Sequence, residues 1–462
     1  MKTFHLKPAF SSAIILCLCF LLTSTGWLAW EYHLMSMVSS STCDLITMVF
    51  GYLFQAAGIG CFIGVQRHRS NWGPSGIHIA LVLHFLCLLP SVLSTSLTWT
   101  LVTGFLMNTV CGYIGGYYLF ILARITERHE RASMLGIGYS ASIFASWVLS
   151  RLGGGSLYYS DKVWILCLMM TVLIMGLIHG TRHAEPVVTS SRQASDTPAA
   201  SDARSLLFRI GLLVFFFSIV NNCGFAFSSA DLIEGVHVEF SRLFYAAGLI
   251  LAGFITDRDR KYGAILAVSA LVIPFILLSL RGEPVSSTLF WALNYFTFGF
   301  YSVYRIIVFS DHAEDIGALE LAGLGLLIGR LGDAAGEAVC LACSSAPLPL
   351  ICLTALFFFI SVFLFFRVYR LLYETPNTIP PAMDAQAFFH QYAAQHDLSQ
   401  RECEVFRLLL DEKSNPEIAE LLFVSDSTVK YHIHNLLKKT GCRNRVDLIR
   451  TYSAAFHSQN PQ

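Results

Sequence analysis

The sequence predicts an all-α membrane protein, with about twelve transmembrane helices in two halves of six and a small soluble four-helix domain after them. Three observations carry this expectation. Of 462 residues, 55% are hydrophobic and only 13% charged, and the mean hydropathy is +0.58; this is the composition of a chain that lives mostly in lipid, not of a soluble enzyme. Apolar runs long enough to cross a bilayer recur through the chain as far as residue 370. From His396 onward the apolar runs stop, and short helix-capping patterns follow one another closely.

The apolar runs fall near 9–30, 43–66, 76–97, 99–123, 133–152, 163–179, 206–229, 240–256, 262–280, 286–309, 316–340 and 348–368. The first follows Lys2 and Lys7 without a convincing small-residue cleavage site, so it reads as a retained helix. Basic residues set the orientation. With the N-terminus in the cytoplasm, inside segments collect seventeen, among them Arg67, Arg124, Arg128, Arg131, Arg258, Arg260, Lys261, Arg305 and Arg370; outside loops collect three, Lys162, Arg242 and Arg281. An even number of spans returns the C-terminus to the cytoplasm, where bacterial DNA is accessible.

Residues 181–205, "TRHAEPVVTSSRQASDTPAASDARS", are polar, rich in Ser, Ala and Pro, and without periodicity. They read as a central loop between halves 1–180 and 206–370. The halves echo one another: "SRLGGGS" at Arg151 is matched by "GRLGDAAG" at Arg330, and "GCFIGVQRHR" by "GFITDRDRKYG". The last stretch, Gly253 to Asp257 with Arg258, Arg260 and Lys261, resembles the loop motif of major facilitator transporters. It lacks the glycine usual before the final basic pair, and Gly64 replaces the aspartate in the first half. The resemblance implies two helix bundles around a cavity at the midplane.

Ionisable residues inside predicted spans point to that cavity, because lipid exposure would cost each a few kcal/mol or more. Arg330, Asp333 and Glu337 share one face of the eleventh span and must meet protein or water. They fit a polar ligand site or proton-linked relay, and equally an internal ion pair of Arg330 with Asp333 that fixes packing. Arg305 and Asn294 in the tenth span are weaker candidates, since Arg305 is also placed to snorkel toward the cytoplasmic side.

Pro376, Pro380 and Pro381 break the last helix and begin a linker, 371–395. In the domain at 396–458, Ser399 and Glu402 have capping-box spacing. Asn415 is the expected N-cap of a second helix, with Pro416 at its first position. Ser425 caps a third helix that ends with Lys438, Lys439 and Gly441. Val429, Ile433, Leu436 and Leu437 form its buried stripe, opposite Ser427, Lys430, Tyr431, His434 and Lys438. That face suits a DNA major groove, with lysines and hydroxyls on phosphates and a few side chains reaching bases. Lys430, Lys438, Lys439, Arg443, Arg445 and Arg450 meet a single acid, Asp447, between residues 427 and 450.

The stretch "LSQRECEVFRLLLDEKSNPEIAELLFVSDSTVKYHIHNLLKKTGCRNRVDLI" strongly resembles the LuxR/FixJ-type helix-turn-helix domain. Its signature stands here as Glu402, Asn415, Glu417, Ile418, Ala419, Ser425, Thr428, Val429, Lys430, His432, Lys439, Gly441, Arg443, Asn444 and Arg445. Lys413 occupies a turn position where glycine is usual, and Thr440 replaces an apolar residue. The resemblance implies base reading by Lys430, Tyr431 and His434, further DNA contacts from Ser427, Thr428, Lys438, Lys439 and Arg443, and dimerisation through a fourth helix at about 444–455.

Thirteen cysteines lie mainly in apolar runs, as packing residues do. Cys340 and Cys343 have metal or redox spacing, yet no second pair or histidine lies near them in sequence, and helix packing accounts for them. His432 and His434 point to different sides of a helix. No metal, cofactor or enzyme activity is expected. The chain reads as a membrane-bound, one-component transcription regulator of the bacterial inner membrane, multi-pass, with both termini cytoplasmic. Its expected partners are the bilayer, an unidentified small-molecule effector and promoter DNA, bound as a homodimer. The alternative is a major-facilitator-type transporter of a small solute with a regulatory DNA-binding tail.

Overall fold

The computed structural model describes residues 8–68, 73–152, 163–180, 200–229, 238–277, 284–374 and 385–459. Among these residues the regular structure is helical, without strands. The chain divides into two compact units, Met1–Tyr373 and Glu374–Gln462. Of the central loop expected at 181–205, residues 181–199 lie outside the described residues, and 200–205 are already helical.

Among the described residues, twelve main helical segments make up the first unit. They are α1 (Pro8–Met35), α2 (Ser40–His68), α3 (Gly73–Leu93), α4 (Leu97–Ile125), α5 (Arg131–Leu152), α6 (Val163–Gly180), α7 (Ala200–Ser229), α8 (Val238–Arg258), α9 (Arg260–Ala270), α10 (Pro284–Asp315), α11 (Leu324–Ala342) and α12 (Pro347–Tyr373). Eight of them are long and apolar enough to cross a membrane, among the described residues. The expected count of twelve spans is not reached, for local reasons. The apolar part of α6, Val163–Ile178, is short. The expected ninth span is interrupted after Ala270 and resumes as Ile273–Leu277, around Pro274. Helix α10 mixes Asn294, Arg305, Asp311 and several tyrosines into its length, and α11 carries three charges in 19 residues.

The first half packs around Leu16, Trp30, Phe62, Ile114 and Leu119, and the second around Phe217, Leu271, Tyr301 and Phe309, all buried. The halves meet where α5 packs on α8 and α2 on α11. The α5–α8 contact depends on two glycines: a Cβ on Gly136 would strike the Leu249 carbonyl, and one on Gly253 would lie 2.6 Å from the Ala132 carbonyl oxygen. Backbone contact this close needs residues without a side chain.

One end of this interface is closed by ion pairs between the halves. The Asp257 carboxylate accepts from the N–H groups of Ala132 (2.9 Å) and Ser133 (2.6 Å), capping α5 from the opposite half. Asp311 binds Arg131 at 2.9 Å and Arg260 at 2.7 Å, while Arg131, wholly buried, also reaches Glu314 at 2.9 Å. Arg260 also donates to the Arg128 carbonyl, so the motif residues Asp257 and Arg260 both join one half to the other.

Among the described residues the second unit contains five helices, not the expected four: α13 (Ala385–Gln395), α14 (Gln400–Leu410), α15 (Asn415–Leu421), α16 (Asp426–Thr440) and α17 (Arg445–Gln459). The additional helix, α13, lies within the stretch expected to be linker. Its Phe388, Phe389 and Tyr392 are buried against Phe406, Tyr452 and Phe456, so the domain core begins before His396.

Candidate functional site

The helix-turn-helix is assembled by its caps. Ser399 accepts from the Glu402 N–H while the Glu402 carboxylate accepts from the Ser399 N–H, a complete capping box on α14. The expected cap at Asn415 is corrected: Ser414 is the N-cap of α15, and its N–H and hydroxyl donate to the Glu417 carboxylate at 2.7 and 2.6 Å. Asn415 lies one position into the helix, ahead of Pro416. Ser425 caps α16, accepting from the Thr428 N–H at 3.2 Å. Gly441 ends that helix at φ 71°, the left-handed geometry that glycine adopts without strain.

These caps leave Val429 and Leu436 fully buried, with Ile433 and Leu437 partly buried beside them. Ser427, Lys430, Tyr431, His434, Lys438 and Arg443 are exposed, while Thr428 is half-buried with its hydroxyl 2.7 Å from that of Ser425. Tyr431 is 63% exposed, unusual for a tyrosine without a partner to cover it. Lys430 forms an exposed bridge of 2.6 Å to Asp426, weak enough to be exchanged for a phosphate or base.

Lys439, expected as a DNA contact, is also engaged within the domain. Its ammonium binds the buried Glu402 carboxylate at 2.7 Å and the Asp397 carbonyl at 2.8 Å, tying α16 to α14. Burial pushes the Glu402 carboxyl up, but Lys439 and Ser399 outweigh it and hold the group below its ordinary value. Glu417 is also held low, chiefly by the Ser414 hydroxyl and then by its N–H.

In the first unit a cavity of about 570 Å³ lies between the halves. Arg305, Arg330, Asp333 and Glu337 all line it, so four of the five expected site residues converge. Arg305 does not snorkel: it is 5% exposed and donates to Asp333 at 3.3 Å and to the Tyr301 hydroxyl at 3.4 Å. Arg330 is 3.7 Å from Asp333 and lies over the Tyr52 ring at 4.4 Å. Glu337 accepts from the Asn222 amide at 2.9 Å. Asn294 is corrected out of the site: it is buried away from the cavity lining, with an unpartnered amide nitrogen.

Sequence reading missed Tyr52, Asn222, Asp44 and Arg242, which also line the cavity. Asp44 immediately precedes a π-helical turn, Leu45–Phe50, and such turns interrupt helices at functional sites. The pattern in "AFFHQYAA", with Phe388, Phe389 and Tyr392 on one side, was the available signal for α13. Cys340 packs with Ile219, Cys223 and Leu350 in a small apolar cluster, with Cys343 partly buried against it.

A capped recognition helix with an exposed basic face and a helical bundle with a charged cavity define a multi-pass membrane protein carrying a DNA-binding regulator domain. The family model for bacterial regulatory proteins of the luxR family matches residues 396–452. The spore germination protein GerE of Bacillus subtilis is 46% identical over 57 residues, which are 12% of this chain and 77% of that protein. The chain belongs to the luxR family through this domain. An uncharacterized response regulatory protein of Escherichia coli, YgeK, is 36% identical over 69 residues, 15% of this chain and 47% of that one. The transcriptional regulatory protein DegU of Brevibacillus brevis is 43% identical over 54 residues, 12% of this chain and 23% of that protein. The chain thus spans half or less of these two relatives.

The membrane unit shares its fold with the E. coli fucose:proton symporter FucP, a major facilitator superfamily transporter. The TM-score is 0.54 at 12% identity, over 77% of this chain and 97% of the other. At that identity the likeness concerns fold alone.

Proposed function

We propose that the protein is a membrane-bound, one-component transcription regulator. The bundle binds a small molecule in its central cavity, and the C-terminal domain binds promoter DNA as a homodimer at the cytoplasmic face of a bacterial inner membrane. The observation that carries this reading is that one chain joins a cavity lined by Arg305, Arg330, Asp333 and Glu337 to a luxR-family domain. The excess of basic residues on one side of the spans supports cytoplasmic termini. Effector binding controls transcription through different affinities for two states of the bundle, and those states alter dimerisation or presentation of the DNA-binding domains. The reading assigns no catalytic chemistry to the chain.

Chromatin immunoprecipitation of tagged full-length protein tests the proposal, with Lys430→Ala/His434→Ala as control. Promoter peaks that vanish in the double variant are expected; equal peaks in both, or none in either across growth conditions, would reject regulation through this helix. A second reading, a solute transporter with a regulatory tail, is favoured by the cavity and its likeness in fold to a symporter. Solute accumulation in vesicles carrying the protein, absent from empty vesicles, would decide for it.

A further inference from the structure

The charges of the cavity are sorted along it. Asp333 sits between two guanidiniums, Arg305 at 3.3 Å and Arg330 at 3.7 Å, which leaves this end with one positive charge in excess. Both arginines are held, Arg305 by Tyr301 and Arg330 against Tyr52, so the charge is fixed in place. Glu337 lies two turns beyond Arg330 on α11, roughly 10 Å along the axis at 1.5 Å per residue. Its partner is the neutral Asn222 amide, with no cation bound to it among the described residues. Asp44, also lining the cavity, adds a second negative field at Glu337. Arg242, the third arginine of the lining, hydrogen-bonds Tyr295 and feels the Glu31 carboxylate outside the lining. The lining is also rich in aromatic side chains, including Trp27, Trp147, Phe225, Trp291 and Tyr295.

Resting on the reading of this cavity as the effector site, we propose that it takes a zwitterion with an aromatic body: its carboxylate meets Arg305 and Arg330, and its ammonium meets Glu337 and Asp44. A neutral ligand would leave both ends unmatched in a site of low dielectric, and a simple cation or anion would leave one. The aromatic walls supply apolar contact for the body and a favourable face for the ammonium. A volume of about 570 Å³ admits a molecule the size of an aromatic dipeptide.

The test uses full-length protein in lipid nanodiscs and follows tryptophan fluorescence, since Trp27, Trp147 and Trp291 line the cavity. The probes are L-phenylalanyl-L-phenylalanine, its N-acetyl form and its C-terminal amide. The zwitterion should bind at least tenfold more tightly than either derivative. Glu337→Gln should remove the penalty for acetylation and retain that for amidation; Arg330→Gln should do the reverse. Comparable binding of all three probes, tighter binding of a singly charged form, or no binding of any would overturn the proposal, and none of these requires a variant to fold. No DNA is present in the assay. Zwitterion binding by a protein without Lys430-dependent promoter peaks would therefore sink the regulatory reading and leave the ligand class standing.

Discussion

Lys430 and Lys439 lie on the same helix and in the same basic run, and their partners separate them. Lys430 and its partner Asp426 keep 64% and 44% of their side-chain surface exposed, so their bridge adds little to stability. Lys430→Ala should therefore change stability by under about 0.5 kcal/mol while weakening a cognate promoter by about 1–3 kcal/mol, measured by operator titration of the full-length protein. Lys439→Met should act in the opposite sense. It strands the Glu402 carboxylate, 5% exposed, at an expected cost of about 1–3 kcal/mol, visible as faster hydrogen exchange in α14 and α16. Glu402 also sets a pH dependence. Its carboxyl is held below the ordinary value of 4.5 when folded, so its contribution is full above that value and is lost as pH falls through the lower, folded one. Protection of α14 should decline below about pH 4.5, and Glu402→Gln should flatten that decline.

At the scale of the element, α13 and the turn before α16 are the informative cases. Helix α13 follows three prolines and precedes the family's own boundary, so local pattern marked it as linker. Its place in the domain is decided by Phe388 and Phe389 at 3% and 4% exposure. Phe389→Ala should destabilise the domain by about 3–5 kcal/mol, read as loss of exchange protection across α13, α14 and α17 together. Intact protection in α14 would contradict the packing described. In the turn between α15 and α16, Phe423 takes φ 56° with 95% of its surface exposed. A bulky residue gains nothing there and pays for left-handed backbone, whereas asparagine tolerates it. Phe423→Asn is expected to stabilise the domain by about 0.5–1 kcal/mol, and a loss of stability in the same exchange measurement would show that its ring has a covering partner.

For the whole molecule, the junction between the halves is the feature to probe. Asp311 holds Arg128, Arg131 and Arg260 at 3.5, 2.9 and 2.7 Å and so ties the two bundles together at one end. Asp311→Asn should loosen that end and change access to the cavity. With Ser24→Cys as reporter in the cavity lining, impermeant thiol labelling from the face bearing Asp311 should rise at least severalfold; an unchanged rate would mean that the ion pairs do not gate the cavity. Hydropathy by itself marked the all-helical first unit and most of its helices, because each apolar run must satisfy its own backbone in lipid, but it did not foresee the break after Ala270. Capping residues and the apolar stripe likewise determined the helix-turn-helix, since caps and 3.6-residue periodicity are local. The sequence also marked Arg330, Asp333 and Glu337 as one face. Only the tertiary structure decided that Arg305 joins Asp333 across α10 and α11, that Asn222 answers Glu337 from α7, that Asn294 turns away, and that Lys439 serves the core. Each of those outcomes depends on contacts between residues distant in the chain, and no periodicity along one segment specifies which partner another segment will present.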